Sequence, residues 1–317
     1  MFAPHEEKPM KSPLWTKMPE RGSQCGIRFV LFLLNTVGYG AAVLALLPIV
    51  GYFFLTGRTT RRASLAYLHR LHQAHPEANG PPSLWKSYVH HLHFACTILD
   101  RVWFWQGKLE KFHFHEEGRY YLQRQDGRGA LLLGAHVGSF DALRALALAA
   151  GLTLHVVMHR GHAPKINAVM NALHPQTNLR VIELKPGDLE MIFELKNYID
   201  RGEMIAILGD RIPPHAKKRV TWFPFLGAKA PFPQHTWLLA SLLECPVYLT
   251  IGLRIGHRQY HVFAEPLAER VDLQRQEREE CLQGYIAQYA RRLEEICCAH
   301  PYQWFNFYDF WDLPDAG

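Results

Sequence analysis

The stretch 129–150, GALLLGAHVGSFDALRALALAA, decides the predicted fold. The apolar residues Ala130 to Leu133 indicate a buried strand, and the Ala/Leu-rich run after Ser139 indicates a helix. Ser139 is also a residue type that caps helix N-termini well. A strand that leads directly into a helix is the repeating unit of an α/β fold with a parallel sheet. Open α/β sheets bind ligands at the carboxyl ends of their strands, and His136 lies at such an end.

The spacing of His136 and Asp141 predicts a catalytic dyad. Along one continuous helix this separation would turn the chain by about 500°, so the two side chains would not share a face. With His136 on the loop and Asp141 in the first helical turn, where the helix dipole favours a carboxylate, the imidazole can fold back onto the carboxylate. One ring nitrogen would then be oriented and the other could take a proton from a hydroxyl. The alternative is a structural histidine, because this spacing is common by chance.

Strand and helix patterns alternate through the rest of the chain. Polar residues follow two further strands, His159 with Arg160 and Asp210 with Arg211, and a parallel sheet would gather these ends with His136 on one edge. The predicted class is α/β, with a mixed, mostly parallel central sheet, helices on both faces, and an N-terminal membrane-associated helical element. The other predicted strands cover 112–124, 152–158, 179–184, 203–208, 246–253 and 260–264. The other predicted helical regions cover 63–109, with a break at 80–82, and 163–173, 188–199, 234–243 and 277–300.

An uncharged apolar run, Phe29 to Leu55, precedes this region. As a helix it would be about 40 Å long, which is enough to cross a bilayer. Gly38 and Pro48 within it complicate a single straight span, so a broken, re-entrant or in-plane pair of helices is an alternative, and a buried core helix is another. The predicted organisation is a polar arm over 1–26, a transmembrane or re-entrant helix over 27–57, and a catalytic domain over 58–317.

Charge, cysteines and histidines indicate which partners, compartment and metal content to expect. The net charge of +6 suits a membrane surface or an acidic partner, but it is equally compatible with a general solubility bias. No zinc-finger spacing or long basic stripe indicates a nucleic-acid module. The six cysteines form no Cys-x-x-Cys pair and are expected to be reduced, as in a cytosol-facing protein. His90, His91 and His93 suggest a metal, but adjacent histidines on a helix cannot both face one ion, and we predict no metal site.

Residues 212–233 are predicted to form a long loop with a basic half and an aromatic half. The basic residues 215–219 could hold a phosphate or an acidic carrier protein, or could simply be solvated. The aromatic residues 222–226 could line an acyl chain or enter lipid.

Taken together, these motifs resemble those of the late lipid A acyltransferases, within the wider lysophospholipid and glycerophosphate acyltransferase superfamily. The stretch GAHVGSFD is similar to the superfamily His-x-x-x-x-Asp/Glu motif. Residues 202–210 followed by TWFPFLG resemble the family's Gly…Asp-Gln…Phe-Phe-Gly block, and 300–304, HPYQW, resembles its His-Pro-Glu-Gln-Trp ending. Three differences favour a sister branch of predicted acyltransferases: Asp141 replaces the usual Glu, Arg211 replaces Gln, and the tail lacks the basic ending.

The resemblance implies an enzyme that moves a fatty acyl, or aryl-polyene acyl, group from acyl carrier protein or coenzyme A to a hydroxyl of a lipid or glycolipid. His136 would be the general base and Asp141 would orient it. Backbone N–H groups of Gly138 and Ser139 would stabilise the developing negative charge on the carbonyl oxygen. Arg160 and Arg211 would hold a phosphate, because a guanidinium binds phosphate through two donors, and Asp210 would organise the edge of the sheet.

The resemblance also implies a bacterial inner-membrane protein whose catalytic domain faces the cytoplasm. It needs no metal and no cofactor beyond the thioester co-substrate. Two other classes stay open at this point. One is a thioester or lipid hydrolase that uses the same pocket, although Ser139 does not lie in a G-x-S-x-G nucleophile elbow. The other is a membrane-bound binding protein without catalysis.

Overall fold

A computed structural model describes residues 24–123, 126–158, 180–183, 188–213 and 219–311. Several of the predictions lie outside these described residues. They are Arg160 with His159, the helix over 163–173, most of the polar arm, and all of the basic loop residues except Arg219.

A seven-stranded sheet forms the centre of the protein. The strands described are, in chain order, β1 (His113–Glu117), β2 (Leu131–Gly134), β3 (Leu154–Met158), β4 (Arg180–Glu183), β5 (Met204–Leu208), β6 (Val220–Phe225), β7 (Ala228–Pro233), β8 (Val247–Gly256) and β9 (Gln259–Ala268). The order in the sheet is β1-β9-β8-β2-β5-β3-β4, and all neighbouring strands pair in parallel except β8 with β9.

Eight α-helices occur within the described ranges. They are α1 (Gln24–Thr36), α2 (Tyr39–Thr56), α3 (Arg58–Ala74), α4 (Leu84–Trp105), α5 (Phe140–Ala149), α6 (Leu189–Asp200), α7 (His235–Leu243) and α8 (Arg278–Ala299). Side-chain hydroxyl or carboxylate oxygens accept hydrogen bonds at the first turns of three of these helices, from Ser83 for α4, Ser139 for α5 and Asp188 for α6.

The alternating side chains of β2 show that helices cover both faces of the sheet. Leu131 and Leu133 pack into a core with residues of α3, α6, α7 and α8. Leu132 faces the other way and packs with Ala147 of α5. Further residues of α5 join a cluster with α1, α2 and α4. The predicted α/β class and the mostly parallel sheet are therefore confirmed.

Two predicted elements are wrong. The strand expected over 112–124 ends at Glu117, because Gly118 adopts a left-handed conformation (φ 72°) and a Cβ there would lie 1.9 Å from the carbonyl oxygen of Ala264. A short 3-10 helix, Arg119–Leu122, follows it. The expected loop over 212–233 contains a two-stranded antiparallel hairpin, β6 with β7. Its aromatic residues Phe225 and Phe232 are almost fully buried and belong to the core.

The N-terminal apolar run does not form one helix. The helix is interrupted at Gly38, whose φ of 115° is outside the range of helical residues. Consequently α1 and α2 are separate helices. Of the helices described, α2 is the one long and apolar enough to cross a membrane. One stripe of α2 is buried against the rest of the protein, namely Tyr39, Ala42, Leu46, Val50 and Phe54.

Candidate active site

His136 lies two residues beyond the end of β2, next to the end of β5. These strands are parallel neighbours, with Gly134 opposite Leu208, so the segments that follow them come out at the same edge of the sheet. Nδ1 of His136 lies 2.6 Å from Oδ1 of Asp210, and the backbone N–H of His136 donates to Oδ2 of Asp210 at 3.0 Å. The convergence of strand ends expected from the sequence therefore brings His136 together with Asp210.

Asp210 is a fully buried carboxylate that accepts hydrogen bonds from the C-terminal tail as well. Nε1 of Trp304 donates to its Oδ2 at 3.2 Å, and Nδ2 of Asn306 donates to the same oxygen at 2.9 Å. Burial alone raises the pKa of Asp210, but its attraction to the His136 ring and the hydrogen bonds from His136 outweigh that effect. Its pKa is consequently held well below its usual range, and the carboxylate is ionised at neutral pH.

The ionised Asp210 determines which nitrogen of His136 carries the proton. A carboxylate only accepts hydrogen bonds, so Nδ1 of neutral His136 is the protonated nitrogen and Nε2 keeps its lone pair. Burial, followed by the positive charge of Arg211, lowers the pKa of His136, while Asp210 acts in the opposite direction. The imidazole is thus neutral at pH 7. A quarter of its side-chain surface (25 %) is still exposed, so a substrate can reach it.

The predicted dyad of His136 with Asp141 requires a correction. Oδ1 of Asp141 accepts a hydrogen bond from Nε1 of Trp105 at 2.7 Å, and its Oδ2 lies 2.5 Å from Nε of Arg101. Asp141 does lie in the first turn of α5 as expected, but its side chain is directed to α4. The carboxylate that pairs with His136 in the structure is that of Asp210.

The predicted oxyanion donors are also engaged elsewhere. The N–H of Gly138 donates to the carbonyl of Gln303 at 2.9 Å, and the N–H of Ser139 donates to the carbonyl of Gly252 at 2.7 Å. Gly138 has a φ of 60°, and a Cβ there would lie 2.1 Å from the oxygen of Gly252, so the close approach requires glycine. Ser139 is buried and caps α5 through its hydroxyl oxygen. These two residues shape the loop that carries His136.

Arg211 contacts the tail in this structure. Its Nε donates to Oδ1 of Asn306 at 2.7 Å, and a terminal nitrogen donates to the carbonyl of Phe305 at 3.1 Å. Its guanidinium carbon also lies 5.7 Å from the centre of the Tyr308 ring. Arg211 therefore links the end of β5 to the tail, and its predicted role in phosphate binding stays a prediction, as does that of Arg160.

The tail residues were not among the predicted site residues. Gln303 holds the tail in place, because its amide group exchanges two hydrogen bonds with the backbone of Arg254 in β8, at 2.8 and 3.0 Å. Next to it, the carbonyl of Trp304 lies 2.9 Å from Nε2 of the fully buried His90. The polar residues Gln303 and Asn306 within an otherwise aromatic segment were the available sequence signal, since buried polar groups normally have partners.

An apolar cleft opens between α5 and the sheet. Phe140, Leu143 and Ala147 line it from the helix, and Leu132 and Ala206 line it from the strands. Phe140 both lines the cleft and directly follows residues 136–139, so it joins the cleft to the loop that carries His136. Glu116, Glu117, Arg119 and Gln123 also belong to the lining, which is otherwise apolar and suited to an alkyl chain.

Comparison with known proteins identifies the group to which this α/β fold with its histidine–carboxylate pair belongs. The family model described as bacterial lipid A biosynthesis acyltransferase matches residues 29–312. That match covers nearly the whole chain, and the chain belongs to this family of acyltransferases. No curated protein matches the chain significantly. Members of the family in general use acyl-carrier-protein donors and lipid acceptors, and the family indicates a membrane-associated bacterial enzyme.

Proposed function

We propose that this protein transfers an acyl group from an acyl thioester to a hydroxyl of a lipid or glycolipid acceptor, with His136 as the general base and Asp210 as the residue that orients it. The observation that carries the proposal is the hydrogen bond between Nδ1 of His136 and the buried carboxylate of Asp210. It leaves Nε2 on a partly exposed ring as the proton acceptor. Acyl carrier protein and coenzyme A are both suitable thioester donors.

In the proposed reaction, Nε2 of His136 takes the proton of the acceptor hydroxyl as its oxygen attacks the thioester carbonyl. The C–S bond breaks as the tetrahedral intermediate collapses, and the imidazolium returns the proton to the departing thiolate. Asp210 stabilises the imidazolium between these two transfers. General-base assistance of this type typically contributes about 10²- to 10⁴-fold in rate. The products are an ester and a free thiol, and no acyl-enzyme is required.

A hydrolase that uses Ser139 as its nucleophile is disfavoured by the position of that side chain. Ser139 is 2 % exposed, and its oxygen accepts the hydrogen bond that caps α5. Water could still replace the acceptor hydroxyl in front of His136, so release of free acid is a measurable alternative.

The apolar cleft beside α5 is proposed to hold the acyl chain. Most of its lining residues are alkyl or aromatic, and Phe140 connects it with the His136 loop. A bulkier side chain in its wall, as in Ala147→Phe, is expected to shorten the longest acyl chain transferred. Mass spectrometry of the product after incubation with donors of graded chain length measures this effect.

The exposed face of α1 and α2 is proposed to lie in the membrane. Its large apolar side chains include Phe32 (59 % exposed), Leu44 (67 %) and Leu55 (71 %). The opposite stripe of α2 packs along α4, and the hydroxyl of Tyr88 in α4 donates to the carbonyl of Leu47. Since α4 carries charged residues and histidines, it is not suited to the hydrocarbon region of a bilayer. Its packing against α2 therefore favours α1 and α2 entering one leaflet over α2 crossing the membrane alone.

The proposed location is the bacterial inner membrane, with the catalytic part on the cytoplasmic side. Among the described residues, Cys96, Cys281, Cys297 and Cys298 form no disulfide, which suits a reducing compartment. Flotation with anionic vesicles tests the membrane face: the double change of Leu44 and Leu55 to Glu should abolish it, whereas Leu242→Glu, at an exposed leucine of α7, should not.

Incubation of the purified full chain with a labelled acyl thioester and a lipid extract tests the proposed function. Transfer of label to lipid is expected, and His136→Ala should reduce it by about 10²- to 10⁴-fold while the protein still folds. His261→Ala, at a partly exposed histidine paired with Glu117, is the matched control and should retain activity. Release of free acid alone would indicate a hydrolase, and turnover by His136→Ala comparable to the unmodified protein would remove the base assignment.

A further inference from the structure

The contact between α4 and α5 places two arginines around one buried carboxylate. Nε of Arg101 lies 2.5 Å from Oδ2 of Asp141, and Nε of Arg144 lies 3.7 Å from Oδ1. The indole N–H of Trp105 already donates to Oδ1. Two guanidinium groups against one carboxylate leave the cluster with an excess of one positive charge.

The buried Arg144 has a donor that is not used. Its Nε has no acceptor in hydrogen-bond geometry among the described residues, whereas Nε of Arg101 faces Oδ2 of Asp141 at 2.5 Å. Arg144 is 4 % exposed, and Asp141 is the one carboxylate with which it forms an ion pair in the part of the chain described. A buried cation with an unsatisfied donor is costly, and a bound anion would compensate the excess positive charge of the cluster.

We propose that Arg101 and Arg144 form a binding site for a phosphate group. Guanidinium groups bind phosphate oxygens through paired donors, and two of them favour a group that carries more than one negative charge. Arg101 provides the opening of the site, since 29 % of its side chain is exposed. Inorganic phosphate and the phosphorylated headgroup of a lipid share this chemistry.

The position of the site connects it with the His136 loop. Asp141 and Arg144 lie in the first two turns of α5, and α5 begins directly after Ser139. A phosphate held here would therefore lie against the helix that directly follows the His136 loop. Its assignment to a substrate rests on the proposed function, whereas the existence of the anion site does not.

Thermal unfolding of the full chain in detergent micelles tests the site, with inorganic phosphate compared with chloride at equal ionic strength. Phosphate is expected to raise the Tm of the unmodified protein, because a ligand that binds only the folded state stabilises it. In Arg144→Gln the phosphate concentration for half of this effect should rise about tenfold or more. Asp141→Asn should lower the Tm without phosphate and respond at lower phosphate concentrations than the unmodified protein. An ion cluster with a purely structural role predicts no such rescue.

Matched controls separate this site from the rest of the molecule. Arg128→Gln, at an exposed arginine paired with Asp200, should respond as the unmodified protein does. His136→Ala should also respond normally, so a failure of the catalytic proposal is distinguishable from a failure of this one. If Arg144→Gln does not fold, Arg144→Lys, which keeps the charge and loses the planar fork, should show a weaker response.

A second arm distinguishes the two sources of phosphate. Micelles that contain a phosphorylated glycolipid are compared with micelles that contain the same glycolipid after phosphatase treatment. A response to the phosphorylated lipid that Arg144→Gln lacks assigns the site to a headgroup, and a response to inorganic phosphate alone assigns it to the free anion. No phosphate-dependent shift in either arm, or an equal shift in Arg144→Gln, would overturn the proposal.

Discussion

Two buried aspartates in this protein differ in the partners that surround them. Asp210, at the end of β5, accepts hydrogen bonds from the His136 ring, the His136 backbone and two tail side chains. Asp141, at the start of α5, accepts one indole hydrogen bond and is otherwise paired with guanidinium groups. The first environment suits proton transfer, because its cationic partner can be uncharged at neutral pH. The second environment holds permanent positive charge and suits the binding of an anion.

Replacing each carboxylate in turn by an amide should give the largest difference in kcat between the two aspartates. In Asp210→Asn, the amide can present its NH₂ group to Nδ1 and stabilise the wrong tautomer of His136, so kcat should fall about 10³- to 10⁴-fold. In Asp141→Asn, kcat should fall less than about tenfold, as Asp141 does not contact the imidazole in this structure. Steady-state kinetics of both variants, with circular dichroism to check folding, measures the difference. Equal losses of kcat would restore Asp141 as the partner of His136 during the reaction.

Removal of a tail contact to Asp210 should have the next largest effect. Asn306→Leu keeps the approximate size of the side chain but removes one donor to Asp210 and the acceptor for Arg211. Hydrogen bonds to charged groups contribute about 1.5–3 kcal/mol, so kcat is expected to fall about tenfold or more. KM should change little, because Asn306 acts through Asp210 rather than on a substrate. A rise in KM at unchanged kcat would instead indicate that Asn306 binds substrate directly.

The pH dependence sharpens the comparison on the side of His136. Since burial and the Arg211 charge lower the pKa of His136, the fall of kcat/KM on acidification should be centred below the ordinary value of about 6.5. Above this midpoint the base is neutral and active, and below it the base is protonated and inactive. Arg211→Gln should raise the midpoint and Asp210→Asn should lower it, because the two native charges act on this pKa in opposite directions. A pH–rate profile in which both variants shift the same way would contradict this account.

The smallest effect on activity is expected at the indole that holds Asp141. Trp105→Phe removes the N–H donor to a buried carboxylate and should lower the free energy of unfolding by about 1–2 kcal/mol. The arginine partners of Asp141 remain in place, so kcat should be nearly unchanged. Urea denaturation followed by circular dichroism measures the stability, and the acyl-transfer assay provides the comparison. A large loss of kcat with unchanged stability would link this cluster to catalysis.

Periodicity predicted the central part of the fold well, because its elements are locally encoded. The apolar run of β2, the cap Ser139 and the helix α5 lie within about one residue of their predicted positions. The hairpin of β6 and β7 escaped prediction because its prolines and aromatic residues obscure the two-residue alternation of a strand. The sequence does not decide whether the apolar run 29–55 forms one helix or two, because such a run indicates the length of a helical segment but not whether it is continuous.

The site was predictable only in part, because its decisive contact joins residues distant in sequence. His136 and Asp210 were both placed at strand ends that converge, which is a topological inference that the structure supports. Asp141 is the expected partner of His136 only because the two residues are close in sequence. In the structure, the direction of the Asp141 side chain depends on its contacts with Arg101 and Trp105 of α4. No local pattern encodes that direction.

The attachment of residues 303–306 to the sheet edge has a consequence for biosynthesis. A ribosome that stalls before Gln303 yields a polypeptide with all nine described strands and the apolar face of α1 and α2. That truncated product lacks two of the four donors that hold the Asp210 carboxylate, because Trp304 and Asn306 have not been translated. Premature termination would thus give a polypeptide whose Asp210 carboxylate has half of its donors, and the surroundings of His136 would be completed only after these codons are read.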